Sequence, residues 1–308
     1  MGYFTGSSDS VASLTTPNTN LTMVSMDQIG AAADGSLNGT LNTTMFSANG
    51  ASARTYYACI SNVGAADFDP AIAHGAMVTN RTIFIQNIVA LANNANLAGI
   101  NIDFESLYVT DRDAYSSFVS DLALQLHAVK AKLILSIPAK TSDDVNNGWT
   151  WPYNYAVLGQ SADYLQVMTY DEHVPGQTPG PVAGSDWMTA SLQFAVSQVP
   201  ARKVLLGLPA YGYDWKLSDN SGVTVNWKDM PALLLSTHAI PQWDVATNSA
   251  YINYTAADGS AHQVWFETPQ SIQFKSSFAK TFNLAGVSMW ALGLEDANFW
   301  SAVSSGIN

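Results

Sequence analysis

The sequence predicts an α/β protein built as a (β/α)8 TIM barrel with a small α+β insertion after strand seven. Three observations predict it. Eight short apolar runs recur along the chain with helical periodicity between them. The length, 308 residues, suits one such barrel carrying an insertion. No G-x-G-x-x-G turn or P-loop is present, although an open doubly wound sheet would usually bring one.

The strands are expected at Gly2–Thr5, Leu21–Met26, Arg54–Ile60, Gly99–Phe104, Lys132–Ile137, Asp163–Thr169, Lys203–Leu208 and Ala285–Ala291. Between them, Phe84, Ile88, Leu91 and Ala95 recur at helical spacing. So do Tyr115, Phe118, Leu122, Leu126 and Val129, and later Phe274, Phe278 and Phe282. The gap between strands seven and eight is too long for one crossover. Within residues 216–266 lie a helical stretch (Trp227–Thr237), two strand-like runs (Ala250–Tyr254 and Gln263–Phe266) and the turn Asp258-Gly259-Ser260 between those runs. This α+β insertion would rise from the active-site face of the barrel and wall one side of its cleft. Residues 1–308 then form a single catalytic barrel, with no linker.

Composition bounds the function. Hydrophobic residues make up 47% of the chain and charged residues only 12%. Lys+Arg number 12 against Asp+Glu 24, a net charge of −12. That balance argues against nucleic acid or an anionic membrane as partner. No apolar run is long enough to span a bilayer. The low charge suits an extracytoplasmic protein, although no signal peptide precedes the first strand. Cys59 is the sole cysteine, so no intrachain disulfide forms, and it is expected as a buried inert thiol. His74, His127, His173, His238 and His262 are scattered without metal-ligand spacing, so neither metal nor cofactor is expected.

The chemistry concentrates in Gly99-Ile100-Asn101-Ile102-Asp103-Phe104-Glu105. As a strand it alternates without a break. Ile100, Ile102 and Phe104 point outward; Asn101, Asp103 and Glu105 point inward. Carboxylates inside a covered parallel sheet are costly unless paired or used. Met168-Thr169-Tyr170-Asp171 closes strand six and Met289-Trp290 ends strand eight, where catalytic residues of barrels sit. A carboxyl near a second carboxylate has its pKa raised, as a general acid requires. An acid facing a phenol and an indole suggests a sugar site.

These segments resemble the motifs of glycoside hydrolase family 18. Residues 99–105 resemble D-G-x-D-x-D-x-E, residues 168–171 match M-x-Y-D, residues 206–215 resemble the seventh-strand motif and residues 286–290 the eighth. Ile137–Thr141 and Val264–Glu267 bring the chain closest to the bacterial spore cortex-lytic N-acetylglucosaminidases. The resemblance implies substrate-assisted retaining hydrolysis of β-linked N-acetylglucosamine in peptidoglycan-type glycans by a monomer. Glu105 would be the acid/base, Asp103 would hold the acetamido N–H, Tyr170 the acetamido carbonyl, and Asp171 the distorted sugar. Asn101, Met168, Tyr211, Trp290, Trp151 and Glu267 are the candidate substrate-binding residues. Two departures stand out: Ala98 occupies the place of the first Asp of the signature, and Asn101 that of the second. Losing that second charge predicts an activity optimum in acid. Tyr213 stands where chitinases often have Arg, which weighs against chitin-chain subsites. A chitinase, a non-catalytic lectin-like member and an inverting hydrolase using Glu105 with Asp171 are the alternatives.

Overall fold

In the computed structural model, which describes residues 1–47 and 54–308, the chain forms two sheets. The first holds β1 (Gly2–Phe4), β2 (Met23–Ala31), β3 (Leu37–Gly39), β4 (Thr55–Ser61), β5 (Gly99–Asp103), β6 (Lys132–Pro138), β7 (Tyr164–Met168) and β8 (Val204–Pro209). The second holds β9 (Tyr211–Lys216), β10 (Gly222–Asn226), β11 (Gln242–Asp244), β12 (Ser249–Thr255) and β13 (Ala261–Phe266). The chain then returns to the first sheet as β14 (Gly286–Trp290). Parallel pairing of β1 with both β2 and β14 closes the first sheet into the barrel the sequence predicts.

Two strands differ from expectation. β2 runs past Met26 to Ala31 and returns as β3, an antiparallel hairpin. Its turn at Asp34-Gly35-Ser36 uses Gly35 at φ +85, a backbone angle that glycine tolerates. β5 stops at Asp103, so Phe104 and Glu105 lie just beyond the regular strand. Gly99 at its start is required by space, because a Cβ there would collide with the Lys132 carbonyl. The run through Phe274, Phe278 and Phe282 divides into two helices, Pro269–Ser276 and Phe278–Thr281.

The outer face of β5 packs as the alternation predicts. Ile100, Ile102 and Phe104 are fully buried. The Phe104 ring lies 5.9 Å from Phe84 and 6.3 Å from Phe118, on the helices Arg81–Asn94 and Arg112–Ala128. Such rings each contribute about 1.5–3 kcal/mol of burial, so β5 is held firmly from behind.

The second sheet has the order β10-β9-β13-β12-β11, all antiparallel. It begins at Tyr211 rather than at residue 216. Val264, Phe266, Ala250 and Ile252 form one face, packed with Met230 of the helix Met230–Thr237. The hairpin around Asp258-Gly259-Ser260 joins β12 to β13.

Candidate active site

A polar belt crosses the barrel interior beneath the cleft. Asn101 is fully buried, and its Nδ2 lies 3.2 Å from the Tyr3 hydroxyl, 3.1 Å from Ser25 Oγ and 3.1 Å from Ser136 Oγ. Tyr3 donates to Gln166 Oε1 at 3.1 Å, and Gln166 Nε2 donates to Ser288 Oγ at 2.9 Å. Asn101 is therefore spent on internal hydrogen bonds, and its expected contact with substrate is corrected. A neutral amide satisfies these partners without burying a charge.

Asp103 sits one inward position above this belt. It is 5% exposed, and its Oδ1 has no hydrogen-bond partner among the described residues. Burial pushes its pKa up to about 7, helped by the Asp27 charge and opposed by the Ser136 hydroxyl. Asp27 comes from β2. Strand pairing places Asp27 beside Cys59, and Cys59 beside Asn101. The sequence reading missed Asp27, because it ended β2 at Met26. Cys59 is buried, as expected, and burial pushes its thiol up.

Glu105 lies two residues further on. Its backbone N–H donates to Asn62 Oδ1 at 2.8 Å, and its carbonyl accepts from Asn62 Nδ2 at 2.9 Å. The preceding carbonyl, that of Phe104, accepts from the Tyr153 hydroxyl at 2.7 Å. These side chains replace the strand partners that β5 no longer has, and so fix the Glu105 backbone. Burial raises its carboxyl pKa well above the usual range, with further contributions from the charges of Asp103, Asp171 and Asp67. Both carboxyls are thus pushed toward the protonated form, and their titrations belong to the pair rather than to either residue.

Beyond β7, Tyr170 lines the cleft, and burial keeps its phenol protonated. Asp171 adopts φ 61, a left-handed angle that costs a non-glycine residue on the order of 1 kcal/mol or more. The hydroxyls of Tyr211 and Tyr213 donate to its Oδ1 at 2.7 Å and 2.8 Å. Tyr211 is 4% exposed and stands behind Asp171, so its expected role as a direct contact becomes that of a positioning residue. Tyr213 does reach the cleft.

The cleft has a volume of about 930 Å³. Met168 and Trp290 line it together with Asp103, Glu105, Tyr170 and Asp171. Trp149, Trp187 and Phe68 add apolar faces, and Asp67 and Glu172 add carboxyls. No Lys, Arg or His is among its described lining residues. Trp187 and Phe68 carry no motif signal; only the fold brings them to the cleft.

Two further expectations are corrected. Trp151 is not among the residues lining the cleft. Its ring is covered by the Arg112 guanidinium, 3.9 Å from the ring centroid, while Trp149 in the same loop is 49% exposed and faces the cleft. Lys140 braces that loop: its Nζ donates to the carbonyl of Tyr153 at 2.5 Å and to Asp143 at 2.7 Å. Glu267 is buried beneath the second sheet, where Oε1 accepts from Lys275 Nζ at 2.6 Å, and lies outside the cleft.

Comparison with known proteins identifies the fold and family. The family described as "Glycosyl hydrolases family 18" matches residues 2–295. The chain is 38% identical to a protein of Bacillus subtilis (strain 168) described as "Uncharacterized glycosylase YvbX", over 99% of this chain and 90% of that protein. It is 30% identical to the cortical fragment-lytic enzyme of Bacillus subtilis (strain 168), over 73% of this chain and 53% of that enzyme. The crystal structure of a chitinase from Chromobacterium violaceum ATCC 12472 superposes with a TM-score of 0.96 at 39% identity, covering 99% of this chain and 98% of that one.

Proposed function

Because this chain belongs to glycoside hydrolase family 18, we propose that it cleaves β-linked N-acetylglucosamine with retention, using the substrate's own acetamido group as nucleophile. The observation that supports this most is the stack of Asp103 below Glu105 in one cleft, both pushed toward the neutral form. Glu105, protonated, donates to the glycosidic oxygen as the C1–O bond breaks. The acetamido carbonyl oxygen bonds to C1 and gives an oxazolinium ion. Asp103, ionised, accepts from the acetamido N–H and balances the positive charge. The Tyr170 hydroxyl holds the acetamido oxygen in line. Asp171, fixed by two phenols, receives the distorted ring, and Trp290 supplies its floor. Water then attacks C1, its proton returns to Glu105, and the ring opens to the product with configuration retained. Every one of these groups comes from a single chain.

We take the polymer to be an uncharged chain of N-acetylglucosamine, as in chitin. A cleft with five carboxyls and no cation among its described lining offers nothing to an acidic sugar. The likeness to a chitinase along nearly the whole chain supports the same reading. The motifs alone pointed to peptidoglycan-type glycans. Peptidoglycan is the second reading, favoured by the match to the cortical fragment-lytic enzyme. Either polymer lies outside the cell membrane, and no described helix is long and apolar enough to cross one.

Mass spectrometry of the products released from chitin and from peptidoglycan decides between the polymers. NMR of the first product anomer tests the mechanism: β is expected, and α would overturn it. A thiazoline analogue of the cyclised sugar is expected to inhibit competitively and to bind more tightly than N-acetylglucosamine. Equal affinity for the two would remove the substrate-assisted pathway.

A further inference from the structure

The second sheet bears a groove of about 290 Å³, separate from the cleft, lined by Trp243, Asp244, Tyr251, Gln263 and Trp265. Tyr251 and Trp265 stack with centroids 4.8 Å apart and planes 24° from parallel. The Trp265 indole N–H donates to Gln263 Oε1 at 2.9 Å, which fixes the ring. Tyr251 is only half-buried, and so is Trp243, which packs in addition against the Ala250 and Ile252 core beneath the sheet.

Register ties this groove to the cleft. Tyr213 of β9 pairs with Trp265 of β13, and Trp265 pairs with Tyr251 of β12. Directly paired residues share a face of an antiparallel sheet, so Tyr213, Trp265 and Tyr251 form one aromatic row. Tyr213 is a cleft residue. With strands about 4.8 Å apart, Tyr251 stands about 10 Å from Tyr213 along the row. The other face of the sheet already packs against the helix Met230–Thr237, so this row is not needed to cover that core.

We propose that this groove is an ancillary glycan-binding site, which holds further pyranose rings of the same polymer whose cleavage we place in the cleft. Aromatic faces suit the apolar faces of sugar rings, while Asp244 and Gln263 suit their hydroxyls. The groove, like the cleft, has no Lys, Arg or His among its described lining residues, which fits an uncharged ligand. The proposal rests on the reading of the cleft as a site for N-acetylglucosamine, and its test separates the two.

The 308-residue chain carrying Glu105→Gln, which binds without turnover, is titrated calorimetrically with N-acetylglucosamine oligosaccharides of increasing length. The titrations are repeated with Trp243→Ala or Tyr251→Ala added. The expected result is a loss on the order of tenfold in affinity for long oligosaccharides, with the affinity for a disaccharide unchanged. Tyr251→Phe, which keeps the stack, is expected to bind like its parent. Should either alanine variant lose its cooperative unfolding transition, Gln263→Ala and Asp244→Ala carry the same test from the polar side of the groove. Unchanged affinity for long oligosaccharides overturns the ancillary site, as does an equal loss for long and short ones. If the unsubstituted chain hydrolyses such oligosaccharides while the groove variants bind like their parent, only the groove proposal fails. If the unsubstituted chain neither binds nor hydrolyses them, the reading of the cleft fails and the groove proposal falls with it.

Discussion

Asp103 and Glu105 were legible in the sequence because a strand has period two, and an inward carboxyl in a covered sheet demands a use. Glu105→Gln is expected to lower kcat by about 10²–10⁴-fold, the contribution typical of a positioned proton donor, with disaccharide affinity preserved. Near-parental turnover would refute its role. Asp27 was not legible. Its place beside Cys59 and Asn101 depends on the register of β2 against β4 and of β4 against β5, and one sequence does not specify register. This matters because Asn101 vacates the position of a charge, and Asp27 restores one from another strand. Asp103 also faces Tyr3, Tyr170 and Cys59, whose pKa values burial raises, and the Ser136 hydroxyl, so Asp27 is the charge that acts on it, with the protonated Glu105 above. Removing the Asp27 charge eases ionisation of Asp103. Asp27→Asn is therefore expected to move the acid limb of kcat/KM to lower pH. A limb that stays in place would show that burial alone sets Asp103.

At the scale of elements, the barrel strands could be read because each is a short apolar run between helices. The hairpin of β2 with β3 could not, since Leu37–Gly39 is too short to show a period. The loop after strand five shows the same limit. Trp149 and Trp151 are two residues apart, yet only Trp149 lines the cleft, because Arg112 covers its neighbour. Glu267 belongs to a motif, but the motif serves architecture. Lys275 Nζ reaches Glu267 Oε1 at 2.6 Å and Ser249 Oγ at 3.0 Å, tying the end of β13 and the start of β12 to the helix Pro269–Ser276. Removing one partner of a buried pair typically costs about 3–5 kcal/mol. Lys275→Met is expected to lower the unfolding free energy by that order in urea titration, with disaccharide turnover retained below the transition. A direct catalytic role for Glu267 would instead show as lost turnover in a Glu267→Gln variant that remains folded.

For the whole molecule, the raised carboxyls set the pH dependence of stability. Burial raises the pKa of Asp27, Asp103, Glu105, Asp171 and Glu172. An acid bound more tightly to its proton in the folded state stabilises the fold in acid, and that contribution is lost as pH rises through its folded value. Asp34, Asp219 and Asp258, on the surface, accept hydrogen bonds from serines and are lowered. Their contribution is lost only as pH falls through their own folded values. The five carboxyls push the melting temperature down from about pH 5 to about pH 8, against the buried Met1 amine, which burial lowers to about 5 and which pushes it up over the same range; the carboxyls are expected to prevail, and a flat or rising profile by calorimetry would contradict this. The net charge of −12 works in the same direction, because self-repulsion lessens as carboxyls protonate. The hydroxyls of Tyr211 and Tyr213 have one more consequence, which concerns heredity. They belong to β9, the first strand of the second sheet, yet they hold Asp171 on the loop after β7. A recombination event that replaced this sheet with one lacking the two hydroxyls would leave the recipient's aspartate without its donors. The sheet and the loop after β7 are thus coupled through this one carboxylate.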